Sequence, residues 1–126
     1  MNKLIIDVAG EKIFLMVIPS KDIYNITREN TKINYEKLTL IISDFLNSYK
    51  MNLNDINKIY LNRGPGSFAG IRNSLSMIKA IHMIKKIDYY CFSFKDFEDK
   101  EDLSYENIPH LCKKFKIEKN LINPIY

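Results

Sequence analysis

The chain has 126 residues, 46% of them hydrophobic and 27% charged, with a formal net charge of +4. That length fits one domain of ordinary size, and that composition excludes a disordered or fibrous chain. Lysine outnumbers arginine 16 to 3, and isoleucine, lysine and asparagine together supply 49 residues; this is the bias of an A/T-rich coding sequence, so the charge points only weakly to nucleic acid.

The first element is an apolar run at 3–8, "KLIIDV", which reads as a buried strand. "AGEK" turns the chain, and 12–18, "KIFLMVI", is a second strand. A third, more polar strand covers 22–28, "DIYNITR", so the chain opens with an antiparallel meander. From Asn34 the period changes: Leu38, Ile41, Ile42, Phe45, Leu46 and Tyr49 recur at three- and four-residue steps, the stripe of an amphipathic helix capped by Thr31 or Asn34. Residues 57–61 form a short strand, 68–86 a second helix and 88–94, "DYYCFSF", a last strand. The predicted order is β-β-β-α-β-α-β.

The segment 95–102, "KDFEDKED", carries five acids without periodicity and reads as a solvated linker. Ile108, Leu111, Cys112 and Phe115 then suggest a short helix. The expected division is a domain at 1–94 followed by an acidic linker and short helical tail at 95–126. Asp7, Glu11 and Lys12 interrupt the apolar start and no cleavage pattern follows, so a cytoplasmic chain is expected. No run approaches the roughly 18 apolar residues of a membrane span. Cys91 and Cys112 lack CxxC spacing and read as free thiols, and His82 and His110 lie too far apart to announce a metal site.

Three of the four glycines fall in "NRGPGSFAGIR", residues 62–72. A glycine-rich turn entering a helix can hold an anion, because backbone N–H groups and the helix dipole converge there. Ser67 is placed to cap that helix and Arg72 lies one turn in. The spacing is neither a P-loop, since GK[ST] is missing, nor GxGxxG, since Gly64, Gly66 and Gly70 give GxGxxxG. Anion binding stays open, but a tight strand-to-helix joint with close packing at Gly70 is the better-supported reading.

On the helix that follows, Ile71, Leu75, Ile78 and His82 share one face, with His82 expected as a packed histidine. Met77, Ala80, Ile81 and Ile84 share an adjoining and nearly opposite face, and only Arg72, Lys79 and Lys86 form a basic strip. A helix apolar over most of its circumference must be buried on two sides. The sheet covers one; a partner chain or the C-terminal tail must cover the other, with a partner favoured.

"RGPGSFAGIR" closely resembles the "GRGPGSFTGLR" signature of the TsaB (YeaZ-like) family, non-catalytic subunits of the bacterial machinery that makes threonylcarbamoyladenosine beside the tRNA anticodon. "LIIDVA" resembles that family's "ILAIDTA", and the resemblance covers residues 3–94. It implies an α/β fold: a single actin-like ATPase (RNase H-like) N-terminal domain with a mixed sheet. It implies dimerisation with a TsaD-type catalytic paralogue, or a homodimer, with a TsaE-type ATPase and tRNA reached through the complex. No cofactor, metal or catalytic residue is implied. The motif-loop residues carried over are Arg63, Gly64, Pro65, Gly66, Ser67, Phe68, Gly70 and Arg72. The interface candidates are Leu38, Leu40, Met77, Ala80, Ile81 and Ile84.

The chain also departs from the pattern. Ala69 replaces a threonine, Asn73-Ser74 replaces an apolar–glycine pair, and Val8 stands where a hydroxyl residue is expected. Asp7 keeps the strand-end aspartate of actin-like ATPases, but one aspartate without further ligands cannot support metal-assisted chemistry, so a structural Asp7 is expected. Most of the family's second domain is missing, and "LINPIY" resembles the family's "PxYLR" end, which implies an internal deletion and the loss of a nucleotide cleft. The alternatives are a degenerate homodimeric module, a glycoprotease-like or nucleotide-binding protein, and an RNase H-like nuclease. Direct tRNA contact would fall to Arg72, Lys79, Lys86, Lys113, Lys114, Lys116 or Lys119.

Overall fold

A computed structural model describes residues 1–126. Five strands, β1 (Lys3–Asp7), β2 (Lys12–Ile18), β3 (Tyr24–Glu29), β4 (Lys58–Asn62) and β5 (Asp88–Phe92), form one sheet in the order β3-β2-β1-β4-β5. The β1–β2 and β2–β3 pairs are antiparallel, and β1–β4 and β4–β5 are parallel. This is the mixed sheet of the actin-like, RNase H-like domain. Helices α1 (Lys32–Glu36) and α2 (Leu38–Asn47) link β3 to β4, α3 (Phe68–Lys85) links β4 to β5, and α4 (Ile108–Lys114) follows in the tail. No helix is long and apolar enough to cross a membrane.

The strands read as near-continuous apolar runs because both faces of the sheet are covered. On one face Leu4, Ile6, Leu15, Val17, Ile59 and Leu61 pack with Ile42, Phe45 and Leu46 of α2 and Ile71, Leu75 and Ile78 of α3. On the other, Ile5, Met16, Tyr60 and Phe92 pack beneath Phe97, Ile108, Leu111 and Cys112 of the tail. β3 lies at the sheet edge and has no fully buried residue, which explains its polar sequence.

The helix expected from Asn34 is two helices. Thr31 caps the first, its hydroxyl accepting from the Asn34 N–H at 3.3 Å. At Lys37 the N–H bonds Asn34 O, a tight three-residue step, and the regular ladder restarts with Ile41 N–H to Lys37 O at 2.9 Å. The acidic segment is not simply solvated. A 3-10 turn at Phe94–Asp96 carries a capping box between Ser93 and Asp96, and Phe97 is buried in the tail-side core. Apolar anchors inside a charged run have no period to announce them.

Candidate functional site

The glycine joint fits together backbone to backbone. A Cβ on Gly66 would lie 2.1 Å from Ala9 O, and one on Gly70 would lie 2.5 Å from Val8 O. The loop and the end of β1 are therefore in van der Waals contact through main chain, which only glycine permits. Gly64 takes φ +113° and passes under the Ile125 carbonyl, and the Gly64–Pro65 peptide is cis.

Several of the loop's donors are already in use. Gly64 N–H donates to Asn62 Oδ1 at 2.9 Å, Ser67 N–H to Ala9 O at 2.8 Å, and Gly70 N–H to Ser67 Oγ at 3.2 Å. Ser67 is thus the N-cap of α3, as its position in the motif suggested. These bonds hold a strand end against a helix start, which is what a joint requires.

Arg63 turns inward to its own chain. Its Nη2 donates to Asp96 Oδ1 at 2.7 Å and its Nη1 to Asn123 O at 2.8 Å, while Ile125 N–H donates to Arg63 O at 2.8 Å. One guanidinium therefore clamps both the turn after β5 and the C-terminal strap. Phe68 meets the Tyr126 ring at 4.5 Å, and Arg72 sits exposed beside the strap.

The strand-end carboxylate is equally engaged. Asp7 is buried; it accepts from Tyr105 Oη at 2.6 Å, Asn62 Nδ2 at 3.0 Å and Ala9 N–H at 2.9 Å. Tyr105 stacks on Phe14 with ring centroids 4.0 Å apart. Burial first, and then the Asp7 charge, pushes the Tyr105 phenol well above its ordinary range, so it stays a donor. The tail thus fills the C-terminal end of the parallel strands, where α/β sheets ordinarily take their ligands. Tyr105 was missed in the sequence because its partner lies 98 residues away.

The open part of the molecule is the outer face of α2 and α3. Ala80 is exposed, and Leu40, Met83 and Ile84 are 57%, 64% and 77% exposed. Met77, Ala80, Ile81 and Ile84 line a shallow apolar groove of about 310 Å³, closed at its sides by Thr39, Leu53 and Lys85. Four of the six interface candidates line this groove, Ile81 among them although it is 8% exposed and belongs to the core; Leu40 is exposed but is not one of the lining residues. Leu38 is neither: it is 2% exposed and packed in the core with Ile42, Phe45 and Leu46, the i, i+4, i+7, i+8 positions of the same stripe.

Leu53 and Thr39 went unread. Leu53 stands in a 3-10 turn, Leu53–Asp55, whose capping box of Asn52 and Asp55 was the available signal. His82 is a packed residue as expected: its Nδ1 donates to Ile87 O at 2.9 Å, fixing the end of α3, and its ring meets Tyr89 edge-on at 5.4 Å. Cys91 and Cys112 are free and buried; burial pushes each thiol up to about 12.

No family model matches the chain. Over 90 residues it is 29% identical to the tRNA threonylcarbamoyladenosine biosynthesis protein TsaB of Buchnera aphidicola subsp. Schizaphis graminum (strain Sg), a match covering 71% of this chain and 43% of that protein. Among solved structures it superposes on YeaZ from Pseudomonas aeruginosa with a TM-score of 0.67 at 17% identity, covering 73% of this chain and 43% of that one. A second structure from the same organism, described as an uncharacterized protein with similarity to peptidase YEAZ, matches equally well. The match to the TsaB relative and to both YeaZ structures spans 43% of each, less than half their length.

Proposed function

We propose, taking the chain as a TsaB-like (YeaZ-like) domain of the actin-like fold, that it is a non-catalytic subunit of the machinery that forms threonylcarbamoyladenosine in tRNA. It works in the cytoplasm by docking a TsaD-type catalytic partner, and through that partner joins a TsaE-type ATPase. The observation that carries this reading is the apolar groove beside α3, with Ala80 and Ile84 exposed on a helix whose opposite face is already buried in the sheet. An exposed apolar groove of this kind is the usual mark of a docking surface. The engaged state of Asp7 and Arg63 supports the same reading, since both groups are bonded to the chain's own tail.

The reading is tested by depleting the chain in its own organism and measuring threonylcarbamoyladenosine in digested tRNA by mass spectrometry. A clear fall, restored by the wild-type gene but not by Ala80→Arg/Ile84→Asp, is expected. Unchanged modification in depleted cells would overturn the reading.

A second copy of this chain is the other occupant that the groove could take, because a two-fold axis can pair two copies of α3. Sedimentation separates the two: a stable homodimer that persists in the presence of the TsaD-type protein favours the homodimeric module.

A further inference from the structure

At the opposite end of the sheet from Asp7, the strand starts and α4 enclose a second cleft, of about 510 Å³. Its walls carry Lys3 and Lys58 from the sheet and Lys113 and Lys116 from the tail, with Tyr60 and Tyr90 between them. None of these four lysines has an ion-pair partner, whereas Lys114, their neighbour on α4, is paired with Glu101. No carboxylate lines the cleft. The nearest one by register, Asp88, is already held by Asn120 Nδ2 at 3.0 Å and Lys119 at 3.8 Å.

Two features argue that this is more than a solvated basic surface. Lys3 and Lys58 are direct register partners on adjacent parallel strands. Like charges side by side at one strand spacing repel and cost stability unless an anion lies between them. The cleft also has an aromatic wall: Tyr60 and Tyr90 stack with centroids 5.2 Å apart, and Lys58 Nζ sits 5.8 Å from the Tyr90 ring centre. Tyr90 is half-buried and lines the cleft beside the four lysines. A basic groove with a stacking platform is the recognition chemistry of unpaired nucleic acid: phosphates are held by cations, and a base is held by its π-face.

We propose that this cleft binds single-stranded RNA, its lysines holding successive phosphates and Tyr90 receiving an unstacked base. The choice of RNA among polyanions rests on the tRNA-modification reading above. The contact with RNA is then direct, through Lys113 and Lys116 of the tail together with Lys3 and Lys58, and not through Arg72, Lys79 or Lys86.

The test is fluorescence anisotropy with a 5′-fluorescein ten-nucleotide oligouridine and the full chain, over a series of salt concentrations. Lys113→Gln/Lys116→Gln is expected to weaken binding at least fivefold and to flatten the log–log salt slope by ~1.4, the change for two lost phosphate contacts on a single strand. Lys32→Gln/Lys37→Gln, the same charge change on the far helix pair, is expected to stay within twofold. Tyr90→Leu, with its folding checked by circular dichroism, should weaken RNA several-fold while leaving competition by inorganic polyphosphate unchanged. Equal losses in the two lysine pairs, or a Tyr90→Leu variant that binds RNA as wild type does, would overturn the proposal. Ala80→Arg/Ile84→Asp should retain RNA binding, so failure of the docking reading and failure of this one are read on different variants.

Discussion

The tail and the outer face of α3 treat apolar surface in opposite ways. Beyond β5 the chain folds back over the sheet: Phe97, Ile108 and Leu111 cover Ile5 and Tyr60, and the strap at Ile122, Pro124 and Tyr126 runs along the Arg72–Leu75–Lys79 flank of α3. On the other flank of the same helix, Ala80 and Ile84 stay exposed, with Thr39 and Leu53 reaching only the sides of the groove. One helix therefore has one flank completed within the fold and one flank left open. Burial on the first should show as stability, and exposure on the second as binding.

The largest effect is expected where the closed region is tightest. Gly70→Leu places a side chain against Val8 O, which a Cβ alone would meet at 2.5 Å. Forcing β1 and α3 apart should cost ~3 kcal/mol or prevent folding, measured by urea denaturation. A variant as stable as wild type would break the account of the joint.

Arg63→Met comes next. It releases Asp96 and Asn123 together and leaves a half-buried carboxylate unpaired. A loss of ~2 kcal/mol is expected, with amide exchange rising in 94–97 and 120–126 before the rest of the chain. Uniform exchange across the molecule would contradict the clamp.

Tyr105→Phe removes only a hydroxyl, but Asp7 then loses one of three donors. A loss of ~1 kcal/mol is expected. The pH dependence sharpens this. Tyr105 is raised in the folded state, so its contribution is complete below the unfolded phenol value of about 10 and is lost as pH rises above it. Wild-type stability should therefore fall more steeply above pH 10 than that of Tyr105→Phe, as thermal melts would show. Cys91 and Cys112 act in the same direction in both proteins.

The smallest effect on folding is expected on the open flank. Ala80→Arg/Ile84→Asp alters two exposed residues and should change stability by no more than ~0.5 kcal/mol. A strongly destabilised double variant would mean that this flank is part of the chain's own core.

Most of the helix side was legible in the sequence, because its signals are local. The apolar stripe of α2, the two-sided pattern of α3 and the serine cap all follow from spacings of three and four residues. The strands fell within two residues of their expected bounds. What stayed hidden depends on distance. Tyr105 reaches Asp7 across 98 residues, and Arg63 reaches Asp96 and Asn123 across 33 and 60. No periodicity records such pairs, so Arg63 read only as a motif-loop residue and not as a tail clamp. Leu38 shows the converse limit: its spacing puts it on the apolar stripe with Ile42, Phe45 and Leu46, where it is buried, and only the family resemblance had placed it at an interface.

The most direct test of the docking claim is co-purification of the tagged chain with the TsaD-type protein of its own organism, beside the Ala80→Arg/Ile84→Asp variant. The account predicts a stable complex with wild type that is lost in a folded variant. A folded wild-type chain that leaves the partner unbound, or a complex indifferent to both substitutions, would contradict it.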